Sequence, residues 1–396
     1  MLEWLIVGGG IQGTLLSHWL AARLAAPERA VRVLDPHAEP LAEWRRCTGN
    51  VGMRFLRSPS VHCLDVSATG LASFARSGRG ARVAAWRGAY GRPALALFDA
   101  HCRHLIECGR LESLRVRGRA VGLARSAAGW RVETDRGVLS ARRVVLALGL
   151  GEHAAWPAWA QAGHAAGLRI DHVFAPGFRT DSTSPEERVA VIGGGITAAQ
   201  SAMFLAGRSG PGRVVLISRH PPRLADFDSD PGWLGPRFLA GFHAESDLGR
   251  RREAIRRARN RGSMPHDVAS ELRGAVVRGE LDVVHGEVLG AEAGRGRTGM
   301  RLQGRGPQGE PFGLEADRVL LATGFAADRP GRGWLDEAIE ACALPLAPCG
   351  YPALDPSLRW SKGLYAMGPL AELEVGPAAR NIAGARMAAE RLVSAA

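Results

Sequence analysis

The chain has almost no lysine: Lys362 is the only one in 396 residues, and every other strongly basic side chain is arginine. A net charge of +12 and a pI near 10.6 would suit a nucleic-acid binder. Arginine in such excess, beside abundant alanine and glycine, reads instead as a compositional bias. In the densest run, "GRRREAIRRARNRG" at 249–262, no aromatic residue interleaves with the arginines. A platform that stacks single-stranded bases requires such interleaving, so no nucleic-acid partner is expected, and the run reads first as a solvated helix and second as a contact for cofactor phosphates. Glu253 and the alanines of that run fit a helical period, and the sequence predicts a solvated helix there. Runs of about 18 apolar residues are also missing, which excludes a membrane-spanning helix. The six cysteines include no Cys-x-x-Cys and no zinc-finger spacing. Little chain precedes the first strand, so the expected location is the cytoplasm.

What is present is ordinary for a folded chain, with 46% hydrophobic and 23% charged residues. Its length suits two or three domains. The informative feature is a duplicated glycine signature. In "LIVGGGIQGTLL" (5–16), Leu5–Val7 form a buried strand, and Gly8, Gly10 and Gly13 open an apolar helix over about 11–25. The first glycine allows a tight turn, the second admits a pyrophosphate, and the third lets helix and strand pack closely. The helix N-terminus adds N–H donors and a positive dipole. A second strand, "VRVLDP", ends at Asp35, 22 residues after Gly13, where an acid suits the two ribose hydroxyls.

The second copy, "VAVIGGGITAAQSAM" (189–203), has Gly193, Gly195 and Ala198 in the same spacing, with a helix to about Gly207. Its next strand, "RVVLIS", ends at Ser218 and Arg219 rather than at an acid. An arginine there either pairs with a 2′-phosphate, helped by Ser218 and Arg223, or is a solvated loop cation. The first site therefore reads as built for an unphosphorylated ribose and the second for a phosphorylated one; the family resemblance given below makes these FAD and NADPH. A second repeat follows each motif: "RRVVLALG" (142–149) and "DRVLLATG" (317–324). Two repeats in one order predict two homologous dinucleotide-binding units.

The predicted fold class is α/β, with two Rossmann-like domains and the NADPH domain inserted into the FAD domain. The expected boundaries are 1–185 for the first part of the FAD domain, 186–323 for the NADPH domain, and 324–396 for the return to the FAD domain. A helix is expected near 94–108, and strands at 130–135, 137–141 and 143–148. Residues 224–280 read as a helical excursion, 281–316 as strands and turns, and 377–395 as a closing helix.

These motifs resemble flavin-dependent proteins with two dinucleotide-binding domains, a group that includes flavin monooxygenases and pyridine nucleotide-disulfide reductases. The resemblance covers nearly the whole chain. It is carried by Gly8, Gly10, Gly13 and Asp35, by Gly193 and Gly195, and by Ala322, Thr323 and Gly324. The C-terminal "LYAMGPLAELEVGPAARNIAGARMAAERL" adds to it. In that group such a segment brings a glycine turn and a helix N-terminus beneath the flavin, which the resemblance assigns to Gly368 and the helix after Gly376. Pro369 stands where the group usually has Asp. "CTGNVGM" (47–53) is similar to the redox loop of the disulfide reductases, but the second cysteine is missing and Met53 stands near its place.

Within the group the chain looks most like the N-hydroxylating monooxygenases that act on lysine or ornithine side chains. "EWRRCTGNVGMRFLRSPSVHCLD" (43–65), "GRPALALFDAHCRHL" (91–105) and "DFDSDPGWLGPRFLAGF" (226–242) carry that likeness. Arg45 replaces the His that usually follows Trp44, and the Asn-Glu pair of the third segment is absent. The resemblance implies oxygen transfer through a flavin C4a-hydroperoxide to a small molecule, with N-hydroxylation favoured and no metal. Two other classes remain open from sequence: an NAD(P)H-dependent flavoprotein reductase of a quinone or other small acceptor, and a non-catalytic flavin-binding redox sensor. Oxygen and a small-molecule substrate are the expected partners, and the oligomeric state is open.

Several further residues have two readings each. Met53 and Arg54 either line the flavin edge and pyrophosphate or pack a loop. Trp44 either covers a cofactor face or fills the core. His62 near Asp65 is either an acid–base pair or a structural histidine. Asn381 either bonds the flavin or caps a helix. Trp156-Pro157 either matches the flavin-monooxygenase fingerprint or packs the domain crossing.

Overall fold

The computed structural model describes residues 1–294 and 299–394. Two sheets organise it, the first mixed around a parallel centre and the second parallel throughout. In the first, the strands run in the order 359–361, 364–366, 137–146, 2–7, 31–35 and 115–117. Its central strand, Leu2–Val7, is buried on both faces. Trp4 and Ile6 enter a core shared with the helices Ile11–Ala21, Leu95–Cys108 and Ile382–Ser394. Leu5 and Val7 enter the opposite core with Trp130 and Trp360. This two-sided burial is why the strand reads as an unbroken apolar run.

The second sheet has the order 282–285, 214–218, 189–192, 318–321 and 170–172, all parallel. Val189 and Val191 face the core beneath the helix Ile196–Ala206, while Ala190 and Ile192 face the other side. A three-stranded antiparallel sheet, 287–293, 300–305 and 311–316, follows it. The first sheet thus takes strands from both ends of the chain, and the second is built from the residues between. No helix among the described residues is long and apolar enough to cross a membrane.

The structure departs from the sequence expectations in four places. The strands expected at 137–141 and 143–148 are one strand, Gly137–Leu146. Its first half pairs antiparallel with Gly129–Thr134 and its second half pairs parallel with Leu2–Val7. The first glycine-loop helix stops at Ala21, and the C-terminal helix starts at Ile382 after a short 3-10 turn. The arginine-rich helix, Leu248–Ala258, is solvated on one face only, where Arg250 and Arg257 are exposed. On the other face Arg252 is buried, and with the largely covered Arg251 and Arg259 it pairs with Glu372 and Glu374 of the C-terminal segment.

Candidate dinucleotide and flavin sites

The two glycine loops share one geometry. Gly8 has φ +114°, and a Cβ there would lie 2.5 Å from the Ala147 carbonyl oxygen. Gly193 has φ +155°, and a Cβ there would lie 2.6 Å from the Ala322 carbonyl oxygen. Ala147 and Ala322 occupy the same place in the two "LALG/LATG" repeats. The second repeat thus has a physical reason: its alanine carbonyl closes on the first glycine of each loop. A Cβ at Gly13 would run into the Gly8 carbonyl, whereas one at Gly10 would meet nothing within 4 Å. Gly10 therefore opens the helix N-terminus to a ligand, while Gly8 and Gly13 allow close packing.

Asp35 is buried at the end of its strand. Its Oδ2 accepts from the Gly9 N–H at 2.6 Å, and its Oδ1 accepts from the His37 N–H at 2.9 Å. Arg115 stands 3.6 Å away. The carboxylate is thus fixed over the loop with lone pairs remaining for a hydroxyl donor.

The second loop is more enclosed. A Cβ at Gly194 would lie 2.9 Å from the His220 ring, and one at Gly195 would lie 3.3 Å from the Gly262 Cα. Ser218 is buried, and its hydroxyl donates to the His220 carbonyl at 2.8 Å. Arg219 points outward, with 74% of its side chain exposed, and lies 3.6 Å from Glu287. His220, Gly262 and Ser263 at this loop were not singled out from the sequence. The His beside Arg219 was the only local signal for them.

The segment after Trp44 joins the two halves. Met53 packs against the core of each sheet. Gly52, at φ +60°, lies against Phe204 of the second glycine-loop helix. Arg57 donates to the carbonyls of Ala225 (2.6 Å), Phe227 (2.9 Å) and Asp226 (3.1 Å), and to Ser263 Oγ (2.9 Å). Arg54 pairs with Glu271 at 3.0 Å, Arg87 with Asp267 and Glu271, and Arg92 with Asp267. Arg54 therefore has an ionic partner on the opposite half. Trp44 donates from Nε1 to Asp99 at 3.0 Å and tilts against Phe98, which holds its indole at the edge of the first core. Burial raises the Asp99 carboxyl.

Thr323 and Gly324 stand at the crossing between the halves. The Thr323 hydroxyl donates to the Ala155 carbonyl at 2.5 Å, and the Gly324 carbonyl accepts from Ala155 N–H at 2.9 Å. Ala154 and Phe325 form an antiparallel bridge between them. Trp156 packs on His164 and His172 beside it. Gly368, at φ +67°, lies against Gln12 in the first turn of the first glycine-loop helix. Gln12 donates to the Ala379 carbonyl at 3.1 Å, while its buried Oε1 has no hydrogen-bond partner. Asn381 caps the last helix, its Oδ1 accepting from Gly384 N–H at 3.1 Å. Leu239 and Trp233 cover Gly376, so the 231–244 excursion roofs the C-terminal segment.

Two open readings narrow here. Asp65 faces His101 Nε2 at 3.6 Å, and no ion pair joins it to His62, because the helix Leu95–Cys108 delivers His101 into the same core. Burial holds both His62 and His101 near pKa 4. All six cysteines are free, and the Cys47 thiol is pushed up to about 12 by burial and by Glu43 beside it. A thiol so protonated at neutral pH is a poor nucleophile.

Residues 5–151 match a family model described as FAD-NAD(P)-binding. No curated protein sequence matches the chain. Solved structures match its fold over its full length. The ornithine hydroxylase of Pseudomonas aeruginosa superposes with a TM-score of 0.77 at 19% identity, covering 100% of this chain and 98% of that one. An ornithine N-hydroxylase of Kutzneria sp. 744, solved with reduced FAD, NADP+ and L-ornithine, gives 0.78 at 19% identity with the same coverage. The L-lysine 6-monooxygenase of Pseudomonas syringae gives 0.74 at 18% identity, covering 100% of this chain and 99% of that one. The chain thus has the fold of two-dinucleotide-binding-domain flavoproteins.

Proposed function

We propose that the protein is an FAD-dependent, NADPH-using monooxygenase that transfers one oxygen atom from O2 to a nucleophilic nitrogen of a small molecule in the cytoplasm. The observation that carries this reading is the pair of glycine loops, one on each sheet, joined through residues 51–57 in a chain that superposes end to end on N-hydroxylases. The missing thiol partner of Cys47 supports it against dithiol reduction.

The residues fit the two cofactors. Gly10 leaves open the space that a pyrophosphate needs, Gly8 and Gly13 hold helix and strand together, and Asp35 offers its remaining lone pairs to the ribose. The orphaned Gln12 Oε1 and the φ +67° turn at Gly368 form the floor of the flavin site in this reading. Gly193 and Gly195 take the NADPH pyrophosphate, with Ser218 shaping the turn and Arg219 meeting the 2′-phosphate. Bound flavin would supply the hydride and oxygen chemistry, which the protein side chains cannot. The chain's own task is position and dryness. Met53 and Phe204 hold the two halves in register, and Trp233, Leu239 and Phe242 exclude water over the C-terminal segment.

Rapid mixing of NADPH-reduced protein with oxygen tests the reading. A transient absorbance before flavin reoxidation, prolonged by NADP+, is expected, together with hydroxylated amine product. Immediate reoxidation with fast quinone turnover would replace it with a reductase.

A further inference from the structure

The arginine-rich helix and the C-terminal segment enclose an unusual group of charges. Glu372, 0% exposed, accepts from Arg252, from Arg259 Nη2 at 2.7 Å, and from Arg380 Nε at 2.8 Å. Arg380 Nη2 also reaches the Tyr351 hydroxyl at 3.3 Å. That hydroxyl donates to the carbonyls of Ala327 (3.0 Å) and Asp328 (3.1 Å), so the 327–329 turn wraps the same tyrosine. Arg252 donates to Ala327 as well, and its guanidinium sits 4.2 Å from the Tyr351 ring centre. Arg329, next in the turn, pairs with the half-exposed Asp336.

The charges do not balance. Arg252, Arg259, Arg329 and Arg380 are four cations. Against them stand Glu372 inside and Asp336 at the surface. The neighbouring Glu374 is already engaged by Arg251 and Arg391. Guanidinium does not shed its proton near neutral pH, so ionisation cannot relieve the excess. Uncompensated buried charge is costly. Two donors inside the group also lack partners. Arg252 is 7% exposed and its buried Nε has none; Arg329 is 9% exposed and its buried Nη1 has none. Arg252 lies over the Tyr351 ring, and Arg329 directly follows the two residues whose carbonyls meet the Tyr351 hydroxyl. The ring faces the guanidinium plane of Arg252 but leaves its N–H edge unmet.

We propose that this arginine cage around Tyr351 binds one small anion, a halide or a carboxylate group, through Arg252 and Arg329. The ligand supplies the missing negative charge and accepts the orphaned N–H groups in charge-assisted bonds. Mutual repulsion accords with this: burial first, then Arg380, Arg252 and Arg261, bring the Arg259 guanidinium down to about 9. Glu372 lies four residues after Gly368, so the anion braces the segment that faces Gln12. The site stands on the protein's own charges and does not depend on the proposed oxygen chemistry.

The test uses the full-length protein, melted in sodium methanesulfonate, chloride, bromide and acetate at one ionic strength. A rise of a few degrees over methanesulfonate, which is neither halide nor carboxylate, that saturates with bromide, chloride or acetate is expected, as for any ligand of the folded state. Arg252→Met and Arg329→Met should each abolish that anion-specific rise. Crystals of the unaltered protein grown in bromide should show an anomalous peak within hydrogen-bond distance of Arg252 Nε or Arg329 Nη1, so the test survives a variant that fails to fold. Displacement of the peak by acetate identifies a carboxylate as the preferred ligand, and its persistence identifies a halide. A cage without a bromide peak, in a protein that melts alike in all four anions, overturns the proposal.

Discussion

The carbonyl oxygen of Ala147 lies 2.5 Å from where a side chain at Gly8 would begin, so the last strand of the first unit closes directly on its glycine loop. The third glycine is equally confined, whereas Gly10 faces open space. The loop therefore separates residues that hold the fold from one that admits a ligand.

That separation predicts opposite phenotypes. Gly10→Val should leave the melting curve of the apoprotein nearly unchanged and expel the flavin, because its side chain enters the ligand's space. Gly13→Val should destabilise the protein by at least the ~1–3 kcal/mol of overpacking. Flavin absorbance per protein and circular dichroism melting distinguish the two. Full flavin content in Gly10→Val would remove the FAD assignment.

Arg219 is exposed and shares its charge with Glu287. A charge-assisted contact to a 2′-phosphate contributes about 1.5–3 kcal/mol, so Arg219→Ala should lower flavin reduction by NADPH roughly ten- to a hundredfold. Reduction by NADH should hardly change. Glu287→Gln should favour NADPH further by removing a nearby negative charge. An unchanged NADPH/NADH ratio in both variants would exclude Arg219 as the discriminating group.

Cys47 should be dispensable for electron transfer. Its thiol is half-buried, protonated and without a second sulfur. Cys47→Ser should therefore reduce its flavin with NADPH at the parental rate, within about twofold. A charge-transfer band that disappears in the variant would contradict this.

Stability should fall in mild acid. Burial holds His62, His101 and His172 near pKa 4, against an ordinary value of 6.5. Between these values the unfolded chain binds protons that the folded chain refuses. Stability is therefore fully present above about pH 6.5 and declines as pH falls towards 4. Urea unfolding between pH 7.5 and 4.5 measures the slope, and His101→Asn should flatten it. A slope unchanged by that substitution would place the proton uptake elsewhere.

The glycine loops, the strands leading into them and the paired repeats were legible because each is a local pattern with a local cause. The Gly137–Leu146 strand was not, because the change from an antiparallel to a parallel neighbour leaves no break in its own residues. Arg252 and Arg259 were misread for a different reason. Among so many arginines nothing local distinguishes a solvated cation from one paired with Glu372, which lies more than a hundred residues away. His101 replaced His62 beside Asp65 on the same principle: the sequence neighbour was visible and the spatial neighbour was not. His220 and Gly262 enclose the second loop only because the turn after Ser218 and the loop before Ser263, some forty residues apart, meet over it.

At the crossing, Ala326 N–H bonds to the His153 carbonyl at 2.7 Å beside the Ala154–Phe325 bridge. The chain therefore leaves the first sheet and comes back to it through a single doorway two strands wide. The far side of the second half is fastened to the first by Arg54, Arg57, Arg87 and Arg92, and its near side by Arg46 and Asn50, which bond to the backbone of 173–180. Ion pairs hold one edge of the seam and hydrogen bonds to neutral backbone hold the other, so added salt weakens the two edges unequally.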